Sequence, residues 1–198
     1  ITDETAMQRI CSYYKKANGN NTTLFSFYRN SIHHDLMELA LYHPTRGGYV
    51  DWAFVTALVS SGKILLDTSK LLLYKNTNWT GTQEDIDKKA QKLFEDCGLN
   101  ERAKLFEDLL GGIDSFIFVA RKTSPVNRLE ILDAGKNVYA LNIRNFCKEY
   151  NLKPSKFTEE EGRMIQKLEK TEKFENCLDL SLKIIELLRE DLVSKYIK

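Results

Sequence analysis

Proline is scarce in this chain, three residues in 198. Each of them, Pro44, Pro125 and Pro154, stands where a regular pattern stops, as expected of a residue that cannot sit inside a helix. Cysteine is equally thin. Cys11, Cys97, Cys147 and Cys177 are far apart and form no CxxC pair, which argues against a disulfide framework or a zinc ribbon. Reduced thiols predict a cytoplasmic (or nuclear) protein that is not secreted, in which the glycosylation-type triplets Asn21-Thr22-Thr23 and Asn78-Trp79-Thr80 carry no meaning. No run approaches the roughly 20 apolar residues that a membrane span requires. Net charge is also lacking, at +1, so attraction to nucleic acid has to come from a local patch. Arg46-Gly47-Gly48 and Gly111-Gly112 match neither a P-loop nor a dinucleotide fingerprint, and there is no GxSxG. Enzyme classes that need those signatures are disfavoured, and no cofactor is expected.

What is present is an ordinary folded composition, 42% hydrophobic and 29% charged, arranged mostly at helical spacing. Met7, Ile10, Cys11 and Tyr14 predict a first helix, broken at Asn18-Gly19-Asn20-Asn21. A second is predicted over 23–42, and a third, apolar one runs through Trp52, Val55, Leu58 and Val59. Residues 63–74 read as a strand and a helix or as one helix. Thr82 and Asp85 resemble a capping box, opening a stripe of Ile86, Ala90, Leu93, Phe94 and Cys97 that Gly98 closes. Asn100 predicts a cap for a helix through Leu105, Phe106, Leu109 and Leu110 that stops at Gly111-Gly112. Residues 113–120, IDSFIFVA, are β-branched and aromatic and predict a strand, with 128–132 as its partner and Ala134-Gly135-Lys136 as the next turn. Helices follow through Tyr139, Ile143, Phe146, Cys147 and Tyr150, through Met164, Ile165 and Leu168 after the box Thr158/Glu161, and through Phe174, Cys177, Leu178, Ile184, Ile185, Leu188 and Leu192. The expected fold is mainly α, a helical bundle with one small β-hairpin or strand pair. It forms a single domain over 1–198, any subdivision falling between a helical part, 1–112, and a strand pair with C-terminal helices, 113–198.

Three constellations could carry chemistry. The first is the histidine region: His34, Asp35, Glu38 and Tyr42 share the polar side of a helix, and a His–Glu pair one turn apart is most simply a solvated face. Within it, Arg29-Asn30-Ser31-Ile32-His33-His34 matches R-N-x-x-x-H and so resembles the active-site motif of HEPN ribonucleases, over six residues. The resemblance implies that Arg29 stabilises the phosphate, that His34 acts as acid or base and that Asn30 positions them. Such metal-free cleavage needs a proton shuttle near neutral pH and a fixed positive charge.

The second is a string of Asp114, Glu130 and Lys136, with His34 or Glu84 upstream, ordered like the PD-(D/E)xK site of metal-dependent endonucleases. No proline precedes Asp114, however, and no lysine stands two places after Glu130. The third is the stretch 135–156, where Lys136, Arg144, Lys148, Lys153 and Lys156 face one acid, Glu149. Cations at this spacing can grip phosphates while Tyr139 or Tyr150 stacks on a base. Its core, Asn142-Ile143-Arg144-Asn145-Phe146-Cys147-Lys148, is loosely similar to helix-turn-helix segments of phage intron-encoded DNA-binding modules.

The reading that follows is a non-catalytic helical protein of viral or phage type that binds RNA or DNA through Lys136, Arg144, Lys148, Lys153 and Lys156, without metal or membrane. The alternatives are a ribonuclease using Arg29, Asn30 and His34, and a protein–protein adaptor whose C-terminal helix docks a partner.

Overall fold

The computed structural model describes residues 1–17, 22–45, 48–65, 69, 81–189 and 192–196. Among them are nine α-helices and no strand: α1 (Ala6–Ala17), α2 (Asn30–Tyr42), α3 (Asp51–Ser61), α4 (Gln83–Asp96), α5 (Glu107–Val119), α6 (Arg128–Leu152), α7 (Glu159–Glu169), α8 (Phe174–Glu186) and α9 (Leu192–Tyr196). Short 3-10 turns occupy Thr22–Phe25, Ala103–Phe106 and Pro154–Lys156. No described helix is long and apolar enough to cross a membrane.

The axis of the molecule is the antiparallel pair α5 and α6. Gly112 lies against Asn142 and the carbonyl of Tyr139, and Gly135 against Phe116 and Ala120. A Cβ at Gly112 or Gly135 would come within 3.1 or 3.2 Å of the opposite helix. These glycines therefore let two backbones approach; they do not end helices.

One apolar cluster lies around the first half of α5 and the second half of α6, closed by α4, α7, α8 and α9 and built on Phe106, Leu109, Phe146, Ile165 and Ile184. The other packs α1, α2 and α3 on the opposite ends of the pair, through Phe118, Val119, Ile131, Ala134 and Val138. In α3 every residue from Ala53 through Ser61 is buried, which makes it the central helix of that cluster.

The predicted strand pair is a correction. Residues 113–120 form the second half of α5 and its C-cap, and 128–132 open α6, where the Asn127 side chain accepts the Leu129 N–H at 2.9 Å. Ala134-Gly135-Lys136 lies inside α6, not in a turn. The cause is burial on several sides: Ile113, Phe118 and Val119 face two packed layers, and an apolar run covered all round has no period to separate helix from strand. Likewise α5 passes through Gly111-Gly112, so the boundary considered between 112 and 113 falls inside one helix. The second predicted helix begins at Asn30, with the turn Thr22–Phe25 before it, and Asn100 precedes a 3-10 turn.

Other expectations agree. Thr82/Asp85 and Thr158/Glu161 are both complete capping boxes, and Gly98 adopts φ +79° past the end of α4. The break at 18–21, residues 46–47 of the glycine loop and most of 63–74 lie outside the described residues. Of that last segment, Ile64 exchanges backbone hydrogen bonds with Ile1 at 2.7 and 3.0 Å.

Candidate nucleic-acid interface

Helix α6 is long enough to present two faces. Its buried face carries Ile131, Ala134, Val138, Tyr139, Ile143, Phe146, Cys147 and Tyr150, and its outer face carries Lys136, Arg144 and Lys148. Lys136, Arg144 and Lys148 line one groove of about 470 Å³ between α6 and the α7–α8 connection. Ile143, Leu168, Phe174 and Cys177 contribute apolar walls, and Asp133, Glu169 and Glu172 also line it. Lys136 holds its Nζ 4.7 Å from the centre of the Phe174 ring and 3.3 Å from Glu175. The Glu175 carboxyl is held below its ordinary range by its own backbone N–H and by Lys136.

Cys147 lies at the base of this groove, and burial pushes its thiol up to about 11, with Glu169 and Cys177 adding to the rise. A thiol so shifted is protonated at neutral pH and is not a nucleophile. Tyr139 is buried, with its hydroxyl 2.8 Å from the Ser181 hydroxyl, so it supports the groove from below and has no face for a ligand.

Lys153 and Lys156 line no part of the groove. Lys153 lies one turn beyond Glu149 and bonds it at 3.3 Å. Lys156 ends the turn Pro154–Lys156, and its carbonyl accepts from Arg102 at 3.0 Å. The five predicted cations thus separate into three in the groove and two beyond the helix end.

Sequence reasoning missed the continuation on α7. The capping box Thr158/Glu161 starts this helix, and Gly162 lets it close onto the Tyr150 hydroxyl. Its buried face is Glu161, Gly162, Ile165 and Leu168. Its outer face carries Arg163, Gln166, Lys167 and Lys170, which with Thr171 line a second, shallow and open cleft. Thr171 lines both clefts. The signal in the sequence was the spacing Arg163, Lys167, Lys170, one cation per turn, concealed by the acidic run Glu159-Glu160-Glu161 just before it.

The HEPN-like residues lie elsewhere. Arg29 is exposed at the N-cap of α2 in extended conformation, Asn30 is the first helical residue and also exposed, and His34 is exposed one turn on. Neither Arg29 nor His34 lines either cleft. His33 is half-buried, its ring 5.4 Å from that of Tyr28.

The PD-(D/E)xK string is dispersed. Its strands do not exist among the described residues, and its members hold separate partners. Asp114 faces His43, Glu130 accepts the Ala6 N–H at 2.7 Å at the start of α1, and Glu84 pairs with Lys88. No group of three metal-ligating side chains occurs among the described residues.

His43 is the histidine with the most structured surroundings. Its Nε2 lies 2.8 Å from Asp114 Oδ1, with the two side chains only 3% and 1% exposed. Thr45 approaches Nδ1 with its hydroxyl at 2.9 Å and its N–H at 3.2 Å. Tyr49, in the left-handed region at φ 52°, packs its ring on His43 and on Phe94. At this depth the pair has no access to a substrate, and it ties the end of α2 to α5.

The C-terminal stripe, long enough to pack across a bundle or to dock a partner, packs inward: Cys177, Ile184, Ile185, Leu188 and Leu192 belong to the core. Exposed apolar side chains are scattered, with Phe25 and Phe27 before α2, Leu41 and Tyr42 at its end, and Leu129 and Leu152 near the two ends of α6. No protein-family model matches the chain, and no curated protein or solved structure matches it significantly.

Proposed function

We propose that this protein is a non-catalytic nucleic-acid-binding helical domain whose contact surface is the outer side of α6 and α7. The observation that carries the reading is a concentration of uncommitted cations. Arg144, Lys148, Arg163, Lys167 and Lys170 line two adjoining clefts, and none of the five has a carboxylate partner among the described residues, whereas Lys136 and Lys153 are paired. Exposed ion pairs contribute little to stability, so five unpaired cations gathered on one side are better explained by a polyanionic ligand than by folding. With a net charge of +1, the attraction is local and short-ranged under physiological salt.

The test is fluorescence anisotropy with labelled RNA and DNA across a salt series. Binding should weaken steeply with salt, and Arg144→Glu/Lys148→Glu should lower affinity about tenfold while flattening the salt slope by about 2. Unchanged binding in that variant, with normal folding, rules out this surface.

The motif Arg29, Asn30 and His34 supports a second reading, a metal-independent ribonuclease, through the shared exposure of all three at the start of α2. RNA cleavage that resists EDTA and is lost in His34→Ala would establish it in place of the first. Binding to neither RNA nor DNA would overturn the first reading.

A further inference from the structure

We infer that the ligand is a single strand, and that it crosses α7 from the groove of Arg144 and Lys148 into the cleft of Arg163, Lys167 and Lys170, passing at Thr171. This rests on the nucleic-acid reading above and adds to it the strandedness of the ligand and its path.

The path follows from the two clefts sharing a wall. Leu168, Glu169, Thr171 and Glu172 face the first, and Arg163, Gln166, Lys167, Lys170 and Thr171 face the second. α7 is therefore a ridge with a cationic face on one side and, across it, the α6 cations. The cations on α7 recur each turn, rising about 6 Å from Arg163 to Lys167 and about 4.5 Å from Lys167 to Lys170. A flexible backbone can bend over such a ridge. A duplex, with a persistence length of about 150 base pairs, cannot follow it without a bending cost.

Strandedness follows from the shape and lining of the groove. At about 470 Å³ it falls in the range of sites that enclose a small organic group, roughly 300–1,000 Å³. Its apolar wall is the half-buried Phe174 ring, backed by the buried Ile143 and Leu168, and its cations are Arg144 and Lys148. That combination suits a nucleotide, with its base against the apolar wall and its phosphate on the cations.

A duplex hides its base faces and offers a groove to be entered by a protruding helix or ribbon, whereas this surface is concave. Asp133, Glu169 and Glu172 on the same rim repel the two phosphate chains of a duplex more than the one chain of a single strand.

The same geometry explains why Lys153 and Lys156 are not needed. They stand past the end of α6 and line neither cleft, and their removal should leave affinity within about twofold of the wild type, as for surface charges outside the contact.

The experiment compares a labelled oligo-uridine, the same length of RNA as a duplex, and an acidic peptide, each titrated against wild type, Arg163→Gln/Lys167→Gln/Lys170→Gln and Phe174→Leu in a salt series, with circular dichroism confirming helicity. The single strand should bind at least about tenfold more tightly than the duplex. The α7 variant should lose about tenfold in affinity and reduce the salt slope by about 2, and Phe174→Leu should lose affinity with an unchanged slope. An α7 variant that binds as wild type while Arg144→Glu/Lys148→Glu fails overturns the path and leaves the nucleic-acid reading standing. Equal or tighter binding of the duplex overturns the strandedness. Binding of the acidic peptide alone overturns both.

Discussion

The two core clusters solve the same problem by different means. Around α3 the interior is closed by polar side chains placed at helix ends. Arg9, almost wholly buried, donates to the carbonyls of Val59 and Ser60 at the end of α3 and to those of Asp3 and Glu4. Arg121 donates to the Phe118 carbonyl and to Ser61 Oγ, and Arg128 donates to the Ala120 carbonyl. Burial holds Arg121 below the usual guanidinium range, offset in part by Asp35. Around the other half of α6 the interior is closed by rings: Phe106, Phe146, Tyr150 and Phe157 form one group with centroids 5.3 to 6.2 Å apart, and Phe116, Tyr139 and Phe174 form another.

The difference has a cause. α3 is buried to its last residue, so its terminal carbonyls end inside the protein and must find donors there. Cations also suit the negative end of the helix dipole. α4 and α7 begin at the surface, where Thr82 and Thr158 cap them locally, and the space between helices is left to aromatic packing.

This contrast can be broken or sharpened by substitution. Phe106→Ala should cost most, about 4 kcal/mol, because it removes a fully buried ring from the centre of the aromatic group and leaves a cavity. Urea denaturation measures it, and a cost under about 1 kcal/mol would show that the aromatic cluster collapses freely. His43→Leu should cost about 3 kcal/mol by leaving the buried Asp114 carboxyl without its imidazole. The double variant His43→Leu/Asp114→Leu should cost less than the sum of the two single changes. Strict additivity in that cycle would mean that the pair does not act as a unit. Thr158→Ala should cost about 1 kcal/mol, the ordinary value of a lost N-cap, visible as a small drop in Tm. A larger drop would mean that α7 holds its cluster together more than its own cap suggests.

The helix-start signals were legible because they are local. Thr82, Asp85, Thr158 and Glu161 act on backbone within three residues, and no distant contact can reverse them. The cations of the α6 groove were legible in the same way, since Arg144 and Lys148 lie one turn apart on any helix through that stretch. The α5 segment was misread because its composition answers to burial on two sides, which strands and central helices share. Gly111, Gly112 and Gly135 were misread because a glycine that ends a helix and one that admits a neighbouring helix look alike until the neighbour is known. The pairing of His43 with Asp114 spans 71 residues and could not be read from spacing at all.

Local spacing dictates that this chain is mainly helical, where several of its helices begin, and which of their faces are apolar, because those properties depend on neighbours three and four positions away. Only the packing of the helices made residues 113–120 helical. It also brought Arg163, Lys167 and Lys170 beside the α6 groove. Each of these is set by which helices touch, and that depends on the close approach of α5, α6 and α7 through Gly112, Gly135 and Gly162, an arrangement no local pattern encodes.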